Sequence, residues 1–201
     1  MSKTEKTPLV FLISGVARAG KDTFAAALMS EMEMNGCRTE LFKFADTLKH
    51  ALGKTLEHIG VEHAKKPMEI AYTEEQEMKP FVRDALVSIG RLSRFCDNRV
   101  FARNLVADVS TFLEFCPSGR RPVAVVADWR YTNEYFHVKA QLADVHVVTV
   151  HIRRPGYEAA NEEEARSLAD LALNCPVMHD RIAADPVTLR GMAKEIARTY
   201  L

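Results

Sequence analysis

Hydrophobic residues in this chain form short continuous runs that alternate with longer stretches of helical periodicity. The run from Pro8 to Ile13 is too short to cross a bilayer and is typical of a buried parallel strand. Apolar or alternating character also predicts strands at residues 38–44, 123–127 and 145–152. Helical spacing predicts helices at about residues 21–34, 47–58, 80–95, 99–115 and 133–142, and a last helix after the cap signal Asp185-Pro186. This alternation predicts an α/β fold, with a parallel sheet between two layers of helices.

Three places fit the alternation less well. Residues 60–79 are polar, charged and weakly periodic, so we expect a mobile excursion there. Gly90 interrupts a helical pattern and predicts either a break or a close approach of another element. After the strand at 145–152, the residues Arg153-Arg154-Pro155-Gly156 predict an exit from the sheet, and the charged segment Asn161 to Arg166 is expected to begin a lid helix.

The stretch from Ser14 to Thr23, which reads Ser-Gly-Val-Ala-Arg-Ala-Gly-Lys-Asp-Thr, joins the first predicted strand to the first predicted helix. Glycines let backbone N–H groups turn inward around phosphate oxygens, and a helix N-terminus adds partial positive charge. The order strand, glycine-rich loop, lysine and helix predicts a phosphate-binding loop, or P-loop. The alternative is a glycine-rich turn without a ligand. We expect nucleotide contacts from Gly15, Arg18, Ala19, Gly20, Lys21, Asp22 and Thr23, with Lys21 at the β- and γ-phosphates.

Asp22 stands where such loops usually carry a serine or threonine hydroxyl for Mg²⁺, and Thr23 follows it. A carboxylate is a hard oxygen ligand and can hold Mg²⁺ directly or through water. It is also stabilised at a helix N-terminus, so a capping role for Asp22 stays open.

Polar residues follow the other predicted strands, whose carboxyl ends meet at the rim where an α/β sheet binds ligands. Asp128 ends one strand, where a carboxylate can orient Mg²⁺ or fix Arg130, and Arg130 is suited to bidentate phosphate contact. Arg153 and Arg154 follow the next strand, where a mobile lid begins. The alternatives are a strand-end charge for Asp128 and a solvated basic turn for the arginine pair.

The acceptor of a phosphoryl group is expected near the segment Phe42 to Lys49. There Phe44 offers a surface for a base, and the helix start with Asp46 and Lys49 can meet a phosphate. Arg83 lies among apolar neighbours and needs an anionic partner, which is either the acceptor or an internal carboxylate. Aromatic residues in such a place are also common in a plain core.

Composition narrows the class of ligand. Lys+Arg and Asp+Glu both number 27, so no global field favours a nucleic acid polymer or an anionic membrane. The four cysteines have no paired C-x-x-C spacing and indicate free thiols in a reducing compartment. The first seven residues are polar and lack a signal-peptide pattern, so we expect a cytoplasmic protein that acts on small molecules.

The chain resembles phage-type deoxynucleoside monophosphate kinases at five places whose order and spacing span nearly its whole length. They are the phosphate loop, a Phe-Ala-Asp-x-x-Lys helix start, a Val-Arg helix that ends in Ile-Gly, an Asp-x-Arg-x-x-Asn-Glu turn and an Arg-Pro-Gly lid start. In this sequence these are Gly15–Thr23, Phe44–Lys49, Val82–Gly90, Asp128–Glu134 and Arg154–Gly156. In the lid the chain departs from the family, because Asn161-Glu162-Glu163-Glu164 replaces His-x-Ser/Thr-Glu.

The resemblance implies a P-loop kinase fold similar to that of adenylate kinase, and transfer from ATP to a deoxynucleoside monophosphate (dNMP) with Mg²⁺. It implies one domain over residues 1–201, with a helical acceptor-binding region at 45–118 and a lid at 153–175. Lys21 is expected to hold the donor phosphates and to act in catalysis together with Arg130 and Arg154. The residues expected to bind the acceptor are Phe44, Asp46, Lys49, Arg83, Asp128 and Arg130, and those expected to hold Mg²⁺ are Asp22, Thr23 and Asp128. Another small-metabolite kinase, of dephospho-coenzyme A or phosphomevalonate type, stays open, as do a silent nucleotide-binding protein and a homodimer.

Overall fold

A computed structural model of the chain describes residues 7–159, 161–183 and 185–201. The polar N-terminal residues 1–6 and residue 160 of the predicted lid lie outside the described residues. The strands are β1 (Leu9–Ser14), β2 (Arg38–Phe42), β3 (Pro122–Val126), β4 (His146–Arg153) and β5 (His179–Ile182). The helices are α1 (Lys21–Met34), α2 (Phe44–His58), α3 (Pro67–Ala71), α4 (Lys79–Cys96), α5 (Val100–Glu114), α6 (Thr132–Gln141), α7 (Glu162–Asn174) and α8 (Pro186–Tyr200).

The five strands form one parallel sheet in the order β2-β3-β1-β4-β5. β1 lies in the centre of the sheet, with β3 on one side and β4 on the other. The loop after β1 therefore lies at the point where the strand order reverses. This point in an open α/β sheet is the usual place for a ligand. The predicted α/β/α arrangement with a parallel sheet is confirmed.

Alternate residues of β1 face opposite helical layers because side chains in a strand point to opposite faces. Leu9, Phe11 and Ile13 pack in one core with residues of α1 and α8. Val10 and Leu12 pack on the other face with residues of α5, α6 and α7. Both faces of β1 are therefore buried, which fixes the loop that follows it.

The helices α2, α3 and α4 form a third, smaller apolar cluster beside the sheet, around Leu52, Ile70 and Val82. α3 lies within residues 60–79, where no helix was predicted, so that segment is partly ordered and packed. α4 continues through Gly90 without a break. A Cβ atom there would lie 3.3 Å from Leu48 Cδ1, so the glycine permits a close approach of α2.

The structure differs from the sequence-based expectations in two further places. β5 was not predicted, because His179–Ile182 is a polar edge strand without an apolar run. The predicted lid helix forms as α7, but its residues Leu168 and Leu171 pack in the core beside α5 and α6. The helical part of the predicted lid is therefore docked on the body. Among residues 7–159, 161–183 and 185–201, no helix is long and apolar enough to cross a membrane.

Candidate active site

The loop between β1 and α1 has the backbone geometry of an anion-binding turn. Gly15 has φ 142°, Arg18 has φ 63° and Gly20, the N-cap of α1, has φ 97°. Positive φ values are accessible to glycine and costly for most other residues. A Cβ atom at Gly15 would lie 2.2 Å from the Ile152 carbonyl oxygen, so only glycine fits against the end of β4.

Lys21 opens α1 and folds back over this loop. Its Nζ atom donates hydrogen bonds to the carbonyl oxygens of Gly15 and Val16, both at 2.8 Å. Burial and the neighbouring Arg130 guanidinium lower the pKa of Lys21, although the carboxylates of Glu164, Asp22 and Asp128 oppose the shift. Arg130 is therefore a cationic neighbour of Lys21.

Asp22, in the first turn of α1, is ion-paired with Lys43 at 2.7 Å from Nζ to Oδ1. The N-cap of α1 is Gly20, which makes no side-chain capping bond. Thr23 lies in the same turn and is exposed. Both side chains carry oxygen atoms, the type of ligand that Mg²⁺ prefers.

Asp128 follows β3 and holds the start of α2. Its Oδ1 and Oδ2 atoms accept hydrogen bonds from the backbone N–H groups of Phe44 at 2.8 Å and Ala45 at 2.9 Å. Burial raises the pKa of the Asp128 carboxyl, and the two N–H donors partly offset this effect. The sequence predicted that this helix begins at Thr47, but α2 begins at Phe44. The two bonds to Asp128 explain the earlier start, because they satisfy backbone N–H groups of its first turn.

Within the described ranges, no three Asp, Glu, His or Cys side chains converge as a metal site. Mg²⁺ in kinases is commonly held by one or two protein oxygens together with phosphate oxygens and water, so Asp22 and Thr23 fit such a site without a protein cage. Asp128, which was predicted as a third metal ligand, already uses both oxygens on backbone groups.

A cavity of about 350 Å³ opens beside the phosphate loop. It brings together four predicted site residues, Phe44, Arg83, Asp128 and Arg130, with Ala17 of the loop. The side chains of Asp46 and Lys49 were predicted in the same site, but neither residue lines this cavity. Lys49 instead places its ammonium 4.9 Å from the ring centre of Tyr72.

The cavity is also lined by residues that were not predicted. Glu163 of α7 accepts two hydrogen bonds from Arg91, at 3.1 and 2.8 Å, and one from the Tyr131 hydroxyl at 2.8 Å. The bonds from Arg91 and Tyr131 lower the pKa of Glu163, despite partial burial. The lining also contains Lys79, Arg94, Asn161 and Glu164.

The turn after β3 is itself held from inside the protein. Glu134 is buried and accepts the backbone N–H groups of Arg130 at 3.1 Å and Tyr131 at 3.0 Å. Burial raises the pKa of the Glu134 carboxyl to about 7, against the effect of these donors. The Arg94 guanidinium lies 4.3 Å from the ring centre of Tyr131, which adds a cation–π contact. Arg130 therefore projects from a braced turn.

A second cavity, of about 610 Å³, lies on the other side of the phosphate loop, between Val16 and the segment that follows β4. Arg153 is held by Asp180 of β5 in a bidentate ion pair, at 2.9 and 2.6 Å. Arg154 approaches the phosphate loop instead, with its Nη1 atom 3.5 Å from the Arg18 carbonyl oxygen and its guanidinium 4.6 Å from the Tyr157 ring centre. The two arginines therefore have different surroundings.

Comparison with known proteins gives one family. The family model described as adenylylsulphate kinase matches residues 7–130, which include the phosphate loop, the start of α2, all of α4 and the turn after β3. A search of curated proteins found no match to the chain.

Solved structures of three kinases are similar to the chain over nearly its whole length. The Mycobacterium tuberculosis APS kinase CysC in complex with AMPPNP and APS is 11% identical, with 96% of this chain and 97% of that chain covered and a TM-score of 0.44. A gluconokinase from Sinorhizobium meliloti is 12% identical, with coverage of 97% and 95% and a TM-score of 0.48. A sugar kinase from a Janibacter species is 12% identical, with coverage of 96% and 94% and a TM-score of 0.45.

Proposed function

The chain belongs to the adenylylsulphate kinase family of P-loop kinases, and on this premise we propose that it transfers the γ-phosphoryl group of ATP to a deoxynucleoside monophosphate. Kinases of this family use ATP with Mg²⁺ and act on small metabolites. The nature of the acceptor is the proposed part, and it rests on the cavity beside the phosphate loop.

One observation carries the proposal: the cavity beside the phosphate loop is lined by Arg83 and Arg130, and Arg130 lies near enough to Lys21 to contribute to the lowered pKa of that ammonium. Neighbouring cations repel, and although the carboxylates of Glu164, Asp22 and Asp128 offset part of this repulsion at Lys21, an anion bound beside both cations would be stabilised further. A phosphoryl group in transfer is such an anion, because its charge is spread over three equatorial oxygens.

The cavity fits an acceptor that carries its own phosphate. Arg83 and Arg130 supply cations, and a guanidinium binds phosphate oxygens in a bidentate manner. Phe44, Leu48 and Leu86 supply apolar surface against which a base can pack. The volume of about 350 Å³ lies in the range of small-molecule sites.

Each residue of the proposed site has a separate role in phosphoryl transfer. The loop N–H groups and Lys21, once it leaves the carbonyls of Gly15 and Val16, hold the donor phosphates. Arg130 and Arg154 approach from the two sides of the loop and neutralise charge on the transferring group. Asp22 and Thr23 are placed to hold Mg²⁺, which neutralises phosphate charge when it is bound. The braced turn and the docked helix α7 exclude water from this side of the site.

Adenylylsulphate is a second candidate acceptor, because the family model that matches the chain carries that name. It is also an anionic nucleotide, so the same arginines can bind it. The two candidate functions are distinguished by which acceptor supports the formation of ADP from ATP.

A coupled ADP-release assay tests the proposal with each dNMP in turn, and with adenylylsulphate, at fixed Mg²⁺ and ATP. We expect one or more dNMPs to be turned over. Turnover of adenylylsulphate alone would replace the proposed acceptor, and turnover of dephospho-coenzyme A or phosphomevalonate alone would do the same. Binding of ATP without ADP release for any acceptor would support the silent nucleotide-binding alternative.

A further inference from the structure

Helix α4 carries Arg83, one of the two arginines of the proposed acceptor site, but it lies outside the cores beside the sheet. Its apolar side chains, such as Val82 and Ile89, pack in the third cluster with residues of α2 and α3. Within residues 7–159, 161–183 and 185–201, no apolar side chain of α4 belongs to either core of the sheet. α4 is joined to the body through α2 and through polar contacts near its C-terminal end. The placement of Arg83 relative to Arg130 therefore depends on these contacts.

One carboxylate makes the main polar contact at this end of α4. Oε2 of Glu163 accepts hydrogen bonds from Nε and Nη2 of Arg91, at 3.1 and 2.8 Å, and Oε1 accepts one from the Tyr131 hydroxyl at 2.8 Å. The two oxygens thus bind two different elements, α4 and the turn that contains Arg130. Glu163 itself lies in the first turn of α7, a helix that is packed in the core through Leu171. We call Arg91, Glu163 and Tyr131 the carboxylate bridge.

A second arginine of α4 contacts the same tyrosine. The Arg94 guanidinium lies 4.3 Å from the ring centre of Tyr131 and 4.7 Å from that of Phe101, which is buried in the core. Its charge adds to the bonds from Arg91 and Tyr131 that lower the pKa of Glu163. An exposed ion pair is weak on its own, but charges that share partners form a network that holds better than a single pair. The carboxylate bridge is part of such a network.

We propose that Glu163 is a positioning residue for the acceptor: its carboxylate holds α4 against the turn after β3, so that Arg83 and Arg130 line one phosphate site. The inference rests on the proposed function, because it concerns the cavity where the acceptor binds. Glu163 acts through its neighbours and not on the acceptor itself. Both of its oxygens already accept bonds from protein donors, and a carboxylate repels the phosphate that the two arginines attract.

The bridge needs a carboxylate at this position. The lid motif of the kinases that the sequence resembles has serine or threonine where this chain has Glu163. A hydroxyl group carries no charge and cannot offer separate oxygens to Arg91 and Tyr131. The departure of this chain from the family pattern therefore supplies the contact between α7 and α4.

Distances between spin labels test the bridge without any substrate. The labels are attached at Phe81→Cys, near the start of α4, and at Leu173→Cys, near the end of α7, since both positions are exposed. The accessible Cys96 and Cys116 are replaced by serine in the same chain. We expect one narrow distance distribution in this labelled chain. Glu163→Ala is expected to broaden the distribution and to shift it to longer distances.

Glu162→Ala is the matched control. Glu162 also lies in the first turn of α7, so its substitution removes the same negative charge from the helix N-terminus, but Glu162 pairs with Arg166 instead of α4. It is expected to leave the distribution unchanged. Arg91→Met removes the other partner of the ion pair and is expected to reproduce the effect of Glu163→Ala. An unchanged distribution in Glu163→Ala, or equal broadening in Glu162→Ala, overturns the proposal.

Kinetics test the consequence for the acceptor, with whichever acceptor the ADP-release assay identifies. Glu163→Ala is expected to lower kcat/KM for the acceptor roughly three- to tenfold, chiefly through KM, while the KM for ATP stays unchanged. Tyr131→Phe keeps the ring beside Arg94 and loses only the hydroxyl. It is expected to lower kcat/KM less, and to cause no further loss in a chain that already carries Glu163→Ala. Equal losses for ATP and the acceptor, or full additivity of the two substitutions, overturn the positioning role.

The two measurements fail in different ways. If no acceptor is turned over, the proposed function is wrong, and the distances alone decide whether the bridge positions α4. If an acceptor is turned over but the distances do not change in Glu163→Ala, the proposed function stands and the role of Glu163 is wrong.

Discussion

The Nζ atom of Lys43 lies 2.7 Å from Oδ1 of Asp22, so the residue before α2 is joined to the carboxylate after the phosphate-loop lysine. Although partial burial opposes it, the bond with Asp22 and the charges of Asp128 and Asp46 raise the pKa of Lys43. The carboxylate of Asp22 is thereby oriented by a neighbouring cation, at the loop position where we propose that Mg²⁺ binds.

Asp22→Asn is expected to raise the Mg²⁺ concentration needed for half-maximal rate roughly tenfold, since a neutral amide is a weaker ligand than a carboxylate by about one charge-assisted bond. Initial rates at fixed ATP and varied Mg²⁺ measure this. Lys43→Met is the control, because it leaves the carboxylate in place and is expected not to raise the requirement. An unchanged Mg²⁺ titration with a lower melting temperature for Asp22→Asn would instead favour a role at the helix N-terminus.

Lys21→Ala is expected to abolish turnover while the fold persists. The substitution removes two hydrogen bonds from an ammonium to loop carbonyls, each worth about 1.5–3 kcal/mol, but it also removes the cost of burying that charge, so we expect the folded state to persist. The lost ammonium, in contrast, serves charge that develops on transfer. Coupled assays and circular dichroism separate the two effects, and a loss of ellipticity in parallel with activity would make Lys21 structural.

Arg83→Ala and Arg130→Ala are expected to lower kcat/KM for the acceptor by roughly ten- to hundredfold, with less effect on ATP affinity. Both residues line the cavity, and each offers a charge-assisted contact worth about 1.5–3 kcal/mol. Arg166→Ala is the matched control, since Arg166 pairs with Glu162 on the outside of α7. An equal loss of ATP affinity with an unchanged acceptor KM would contradict both assignments.

Glu134 makes the stability of the folded protein depend on pH, and stability is expected to fall as the pH rises. Its pKa in the folded state is about 7, above the ordinary value of 4.5, so the folded chain binds this proton more tightly than the unfolded chain. The stabilisation is complete below pH 4.5 and is lost as the pH rises through 7. Glu134→Gln keeps an acceptor for the two backbone N–H groups and removes the titration.

Unfolding in urea at several pH values from 5 to 8 measures this difference. We expect wild-type stability to fall relative to Glu134→Gln across this interval, by at most about 3 kcal/mol. Glu162→Gln, whose side chain is 86% exposed, is the control and is expected to run parallel to the wild type. A Glu134→Gln difference that does not change with pH would show that the carboxyl titrates normally.

Local patterns in the sequence predicted most of the strands and helices, and they also predicted the phosphate loop. The runs that became β1, β3 and β4 are apolar because both faces of these strands are buried, and the phosphate loop is continuous in sequence. β5 escaped prediction because its residues at the sheet edge are polar and half-exposed.

The cavity wall could not be predicted in the same way. The contacts of Glu163 with Arg91 and Tyr131 join residues 72 and 32 positions apart, and no local pattern specifies such pairs. Asp128 was correctly placed at the rim, but its bonds to Phe44 and Ala45 depend on how α2 approaches β3. Backbone partners of this kind become visible only when both elements are positioned.

The segment after β4 separates into a fixed part and a part that can close. Arg153 is held by Asp180, and α7 is packed through Leu171 in the core. Between them Gly156 has φ 78°, Tyr157 is 38% exposed and Arg154 reaches the phosphate loop through one long hydrogen bond. Few buried contacts hold these residues, so local opening costs little free energy there.

Arg154→Ala is therefore expected to lower kcat more than ATP affinity, because its guanidinium meets the phosphates only when the segment closes and water is excluded. Arg153→Ala is the control, and it is expected to lower the melting temperature slightly with a normal kcat, since an exposed ion pair contributes about 0–1 kcal/mol. In hydrogen exchange, ATP together with the acceptor should protect residues 154–159, while α7 should be protected with or without ligands. Equal exchange of residues 154–159 in both states, with a normal kcat for Arg154→Ala, would exclude a closing lid at this place. The phosphoryl group would then have to be shielded from water by α7 and by the turn that carries Arg130, without a moving segment.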